Sequence, residues 1–192
     1  MQYYAKKLFA PILVSPHRED VKVNMHIVSD ILEEQPATLK MTLMDFDGNV
    51  KWEKSKDVTI SANTAKIYYA IDEDELLSKV SKDRSFLKAE VELLNGDIAS
   101  RNIFYFDKPK NLAFDDVAID YSIEGSGKNF KIKLSAEKLA KNLMITIDDC
   151  EGFLSDNYFD LLPDEEVVVD FTTEKAMDKD DLKPAFKTIN EL

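Results

Sequence analysis

Alternation of apolar and polar residues is the feature that most constrains what this chain can fold into. Val21, Val23, Met25 and Ile27 point one way while Lys22, Asn24 and His26 point the other, and a period of two is the mark of a half-buried strand. Leu39, Met41 and Leu43 repeat the pattern. Val58 with Ile60, Ile67 with Tyr69, and the run Leu87, Ala89, Val91 and Leu93 continue it. Asp47-Gly48 followed by Asn49, and Asn95-Gly96, are hairpin signals between these runs. Only Asp72 to Val80 reads as a helix, with Leu76, Leu77 and Val80 on one face and acidic residues in its first turn.

The pattern breaks at F-D-K-P-K-N-L-A-F-D-D, where Pro109 cannot donate to a central ladder and polar residues surround it. A linker is expected near Asp107 to Asp115, giving domains over 1–107 and 108–192. Strands resume with Val117, Ile119, Tyr121 and Ile123, and G-S-G at Gly125 to Gly127 predicts a turn into Phe130, Ile132 and Leu134. Leu143, Ile145 and Ile147, then Val167, Val169 and Phe171, and a short segment from Phe186 to Ile189 complete the second half. Many short strands with almost no helix predict an all-β fold of two tandem β-sandwiches, the second the smaller.

Composition excludes several classes of function. The 192 residues include 37 acidic and 25 basic side chains, a net charge of −12, which disfavours nucleic acid and anionic membranes as partners. No apolar run approaches the ~20 residues that span a bilayer, and Lys6 and Lys7 interrupt the apolar stretch that ends at Pro11, so no signal-peptide core is read there. Cys150, the single cysteine, can form no internal disulfide.

No constellation specifies catalysis, a cofactor or a metal. His17 and His26 are the only histidines, and both lie far in sequence from Cys150. Asp148, Asp149, Glu151, Asp156, Asn157 and Asp160 supply hard oxygen ligands of the kind calcium takes, without the D-x-[DN]-x-[DN]-G register. An Asx-turn capping backbone groups is the other reading of Asp156 and Asn157. Trp52, Tyr68 and Tyr69 could form a platform for a sugar ring, or pack across strands as aromatics commonly do.

Two stretches carry more. In F-L-S-D-N-Y-F-D-L-L-P-D-E-E, Asp156 and Asn157 are expected to turn the backbone, with Tyr158, Leu161 and Leu162 filling the core and Pro163 starting the exit toward Val167; Phe159 and Asp160 complete the motif. At the other end, Tyr4, Leu8 and Pro11-Ile12 trace a stripe at helical spacing. Tyr3, Tyr4, Leu8 and Phe9 are therefore expected to form an apolar patch on an N-terminal helical stub.

These stretches carry a resemblance to a known family. Y-Y-A-K-K-L-F-A-P-I-L-V-S-P, Tyr3 to Pro16, resembles the segment leaving the catalytic barrel in β-mannosidases of glycoside hydrolase family two. F-L-S-D-N-Y-F-D-L-L-P-D-E-E resembles the F-S-D-N-Y-F-D-L-L-P-G-E signature of their last domain. F-D-K-P-K-N-L-A-F is similar to their inter-domain link, and L-S-A-E-K-L-A-K-N-L-M-I-T-I to the strand and turn beyond it. Asp164 stands where the family usually has Gly, and Leu154 lengthens the interval between Phe153 and Ser155.

The resemblance implies immunoglobulin-like sandwiches that are non-catalytic, belonging to a retaining exo-glycosidase that removes β-linked mannose. It implies a catalytic barrel of the same polypeptide as partner, with the Tyr3–Phe9 patch facing it, and manno-oligosaccharide as a ligand of the enzyme. A periplasmic, secreted or lysosomal parent would follow. Two barrel glutamates do the chemistry in that family, and no position here matches them.

Overall fold

A computed structural model of the chain describes Tyr3 and residues 9–191. The chain divides into two compact units, one reaching to Ala113 and the other beginning at Phe114. The first unit therefore runs past residue 107, the end expected from the sequence. The reason lies in the 107–113 segment, which is tied back to the turn before β6: Ala113 N–H donates to Asp83 O (2.9 Å), Arg84 Nη1 donates to Ala113 O (3.2 Å), and Lys82 Nζ lies 2.9 Å from Asp107.

The first domain is a sandwich of two antiparallel sheets. One holds β1 (Ile12–Glu19), β2 (Lys22–Ser29) and β5 (Thr64–Asp72) in the order β1-β2-β5. The other holds β3 (Gln35–Asp45), β4 (Val50–Ile60), β6 (Ser85–Leu93) and β7 (Ile98–Tyr105) in the order β4-β3-β6-β7. Inward residues of both sheets meet in one core, with Val23, Met25, Ile27, Leu39, Leu43, Leu87 and Val91 all fully buried. Each such side chain contributes roughly 1.5–3 kcal/mol. Val21, expected on the same face, is instead exposed in the β1–β2 turn, where Asp20 takes a left-handed φ of 53°. The Asp47-Gly48 hairpin forms as expected. Gly48 has φ 87°, and the Asp45 carboxylate accepts from the N–H groups of Asp47 and Asn49.

Helix α1 (Glu73–Leu77) is shorter than the expected Asp72–Val80. The Ser78 hydroxyl donates to Glu75 O (2.7 Å), a local bond that competes with continuing the helix. Leu76 is fully buried, and Leu77 and Val80 pack on the core. Arg18 on β1 grips the start of α1. Its Nη2 donates to Glu73 Oε1 (2.7 Å) and to Phe106 O (2.6 Å), and the guanidinium lies 5.5 Å from the Phe104 ring centre.

Side chains tie the two sheets together along both edges of this sandwich. On one side the buried Ser100 hydroxyl of β7 accepts from Val14 N–H of β1 (2.9 Å), and Asn102 Nδ2 donates to Val14 O (3.2 Å). On the other, Lys56 Nζ of β4 donates to Tyr68 O of β5 (2.8 Å), and the Tyr68 hydroxyl accepts from Ser61 N–H (3.1 Å). Tyr68 reaches there because a bulge places it between Ile67 and Tyr69, which pair with His26 and Met25.

The second domain packs the sheet β10-β12-β8 against β11-β9-β13. Its strands are β8 (Asp120–Ser135), β9 (Ala140–Asp148), β10 (Gly152–Leu154), β11 (Phe159–Leu161), β12 (Val167–Met177) and β13 (Lys183–Lys187). Element β8 doubles back at Gly125–Gly127, since Lys133 Nζ reaches Glu124 Oε1 at 2.7 Å although a straight strand would hold those residues ~30 Å apart. Phe130, Ile132, Leu134, Leu143, Ile145, Leu161, Val169 and Phe171 form the core.

Candidate functional site

The F-L-S-D-N-Y-F-D-L-L-P stretch connects β10 to β11, and its polar residues point inward as much as outward. Ser155 faces β12: its N–H donates to Asp170 O (2.8 Å), and its hydroxyl accepts from Asp170 N–H (2.9 Å). Asp156 Oδ1 accepts from Asn157 N–H (2.9 Å), a bond to the next residue along the chain. Asn157, only 7% exposed, turns its carboxamide onto β9. Its Oδ1 accepts from Ile145 N–H (2.8 Å) and its Nδ2 donates to Ile145 O (2.9 Å).

Tyr158 does not fill the core. Its φ of 59° swings the side chain outward, where it is 38% exposed, and Phe159 takes the buried place instead. Asp160 accepts from Asn142 N–H (2.9 Å) and from Lys141 Nζ (2.9 and 3.0 Å), with both charged side chains about one-seventh exposed at 14% and 15%. Leu161, Leu162 and Pro163 are buried, and Asp164 follows in the left-handed region at φ 57°. Asp156, Asn157 and Asp160 thus direct their oxygens to the turn and to β9, an arrangement that pins β11 in register.

The remaining calcium candidates are dispersed. Asp148 ends β9 opposite Lys183, Asp149 takes a left-handed φ of 57°, and Glu151 is exposed. Among the described residues, no three His, Cys, Asp or Glu side chains converge on a point that could hold a metal ion. Cys150 Sγ lies 3.4 Å from Met177 Sδ, and His17 and His26 meet edge-to-face across β1 and β2 with ring centres 6.4 Å apart.

The three aromatics of the expected sugar platform lie on different sheets. Trp52 is on β4 opposite Leu43, and Tyr68 and Tyr69 are on β5; all three are half-buried against the first core. Lys56 stands 5.8 Å over the Tyr69 ring. Of the N-terminal patch, Phe9 is 86% exposed and Tyr3 half-buried, while Tyr4, Leu8 and the expected helical stub lie outside the described residues.

Carboxylate electrostatics are set by turns. The Asn111 amide, Lys82 and the Lys108 N–H all bond the Asp107 carboxylate and hold its pKa far below the ordinary value. Burial alone would push Asp45 up, yet Lys51 and the Asn49 backbone and side chain pull it below the ordinary carboxylate value.

Two family models match in tandem, a mannosidase Ig/CBM-like domain over residues 21–111 and an Ig-fold domain of mannosidases over 114–190. No curated protein matches the chain. Among solved structures, a β-D-mannosidase from Dictyoglomus thermophilum is similar over 97% of this chain and 22% of its own, with a TM-score of 0.78 at 19% identity. The exo-chitosanase CsxA of Amycolatopsis orientalis is similar over 98% of this chain and 26% of its own, with a TM-score of 0.63 at 16% identity. This chain therefore spans about a quarter or less of those enzymes' length, and the likeness is one of fold. Both halves of the chain belong to the mannosidase immunoglobulin-like domain families, and the chain is a tandem of such accessory domains.

Proposed function

We propose that this chain is the non-catalytic C-terminal pair of sandwiches of a β-mannosidase, an exo-acting retaining glycosidase whose catalytic barrel belongs to the same polypeptide. The observation that carries the reading is the order and completeness of the two family matches, which leave only short segments of the chain unmatched. The fold likeness to a β-D-mannosidase over nearly the whole chain supports it. So does the site chemistry: the most specific motif is occupied with holding β11 to β9, as a supporting domain requires. Phe9, a large apolar side chain left in water, belongs on this reading to the face that the barrel covers.

Joining the chain to the barrel encoded with it tests the proposal. The expected result is that the barrel-containing polypeptide hydrolyses a chromogenic β-mannoside with retention at the anomeric carbon and that the present chain alone does not. Hydrolysis by the isolated chain, or a β-glucosaminide cleaved in place of the mannoside, overturns it. The β-glucosaminide is the discriminating substrate because an exo-chitosanase shares the fold over 98% of this chain.

A further inference from the structure

The outer face of the β10-β12-β8 sheet carries a groove of about 490 Å³, within the roughly 300–1,000 Å³ of small-molecule clefts. Alternation builds it. On β12, Val169 and Phe171 are buried while Asp170 and Thr172 face out; on β8, Phe130 and Ile132 are buried while Asn129 and Lys131 face out. Register then aligns the outward residues in rows, Thr172 opposite Asn129 and Asp170 opposite Lys131. Glu124 and Gly125, on the arm of β8 before its reversal, wall the groove. Gly125 has φ 121°, and a Cβ there would run into the Asn129 carbonyl, so only glycine lets this arm lie so close.

The charges in the groove are matched. Lys131 Nζ lies 3.5 Å from Asp170, and Lys133 Nζ donates to Glu124 at 2.7 Å. Both carboxylates of the lining, Asp170 and Glu124, are therefore met by a counter-charge, Lys131 within the groove and Lys133 beside it. The groove offers the Asn129 amide, whose Oδ1 accepts a long bond from the Thr172 hydroxyl (3.4 Å), with ammonium groups and carboxylates, a mixed set of donors and acceptors in rows one strand apart. Vicinal hydroxyl groups, each both donor and acceptor, are the chemistry that such a set fits. At the end of the Thr172 row stands Phe153 on β10, the cross-strand partner of Thr172 and 55% exposed. Its ring supplies the flat apolar face that the C–H side of a pyranose requires.

We propose that this groove binds a neutral oligosaccharide, one ring lying on Phe153 and its neighbour's hydroxyls held by Asn129, Asp170 and Thr172. The proposal rests on the surface of the second domain alone and not on the mannosidase reading. The test is a titration of the full, nitrogen-15-labelled chain, separately with β-1,4-mannotetraose, cellotetraose and sodium sulfate, at up to millimolar ligand.

The expected result is saturable shifts at the amides of Asn129, Lys131, Asp170 and Thr172 with at least one tetraose and none with sulfate. Phe153→Ala and Asp170→Ala, at exposed positions, weaken that binding about tenfold or more, equivalent to ~1.4 kcal/mol, while the melting temperature stays at the wild-type value. No shift with either tetraose, the same shifts with sulfate, shifts confined to the first domain, or both variants binding as wild type would each overturn the proposal.

Discussion

The Asn157 carboxamide makes both backbone hydrogen bonds of Ile145, accepting from its N–H at 2.8 Å and donating to its C=O at 2.9 Å. A side chain here does what a neighbouring strand would do, at the place where β11 is too short to continue the ladder along β9. Replacing it strands a buried donor and a buried acceptor, each costing about 1–3 kcal/mol when unmet. Asn157→Ala should therefore destabilise the second domain by ~2–4 kcal/mol. Denaturant unfolding should show a lower midpoint at an unchanged m-value, and a midpoint within error of wild type would refute the assignment.

Asp164 occupies a backbone conformation that suits glycine, with φ 57°, at the one position where the motif departs from the glycine of the resembled signature. Asp tolerates the left-handed region better than most side chains, and a β-branched residue does not. Asp164→Gly is expected to change stability by less than ~0.5 kcal/mol, whereas Asp164→Val should cost about 1–2 kcal/mol. Equal melting temperatures for the two variants would contradict this.

Much of the scaffold was readable from periodicity. Strands β3 and β12 alternate cleanly because one face of each meets a core and the other meets water, whereas β2 and β6 also bury Asn24, Phe86 and Glu90 on their second face. Strand β1 was not readable. Its first residue, Ile12, closes the stripe at helical spacing that Pro11 ends, and Pro16 lies within it, yet β1 is the edge of its sheet, where a residue without an N–H need not break a ladder. The fate of Tyr158 was equally hidden, since its exposure follows from a local φ and not from hydropathy. Asn157 announces a turn in the sequence, but its bonds to Ile145 depend on two strands meeting in space. The outward rows of the β8–β12 groove likewise depend on register, which no single strand reveals.

Asp107 gives the fold an acid-sensitive tie. Its carboxylate accepts from Asn111, Lys82 and Lys108 N–H, so its folded-state pKa lies below the ordinary 3.8. A depressed acid stabilises the fold above its unfolded pKa and loses that contribution as pH falls through the folded value. The stability difference between wild type and Asp107→Asn should therefore be constant from pH 7 to about pH 5 and shrink below about pH 4. Thermal melts of both proteins across this range provide the check, and a difference unchanged down to about pH 2 would count against it.

Arg18 holds α1 and the end of β7 through one planar group that bonds Glu73 and Phe106 O and lies against Phe104. Lysine keeps the charge but cannot reproduce the fork or the stacking. Arg18→Lys should cost ~1 kcal/mol and Arg18→Ala about 1–2 kcal/mol, the guanidinium being partly solvated. Chemical denaturation at low and high salt would separate the contributions. An Arg18→Lys variant as stable as wild type would show that charge alone suffices.

The bond from Val14 N–H to the Ser100 hydroxyl joins residues 86 positions apart, and Asn102 closes on the same Val14. Strand β1 leaves the ribosome before β7 and must wait until β7 has been made before this edge can close. Loop closure over that span delays folding, so the nascent first domain remains open through most of its own translation. Chains arrested before Tyr105 should stay protease-sensitive however many of the earlier strands have emerged, and protection should appear abruptly once the last strand clears the exit tunnel.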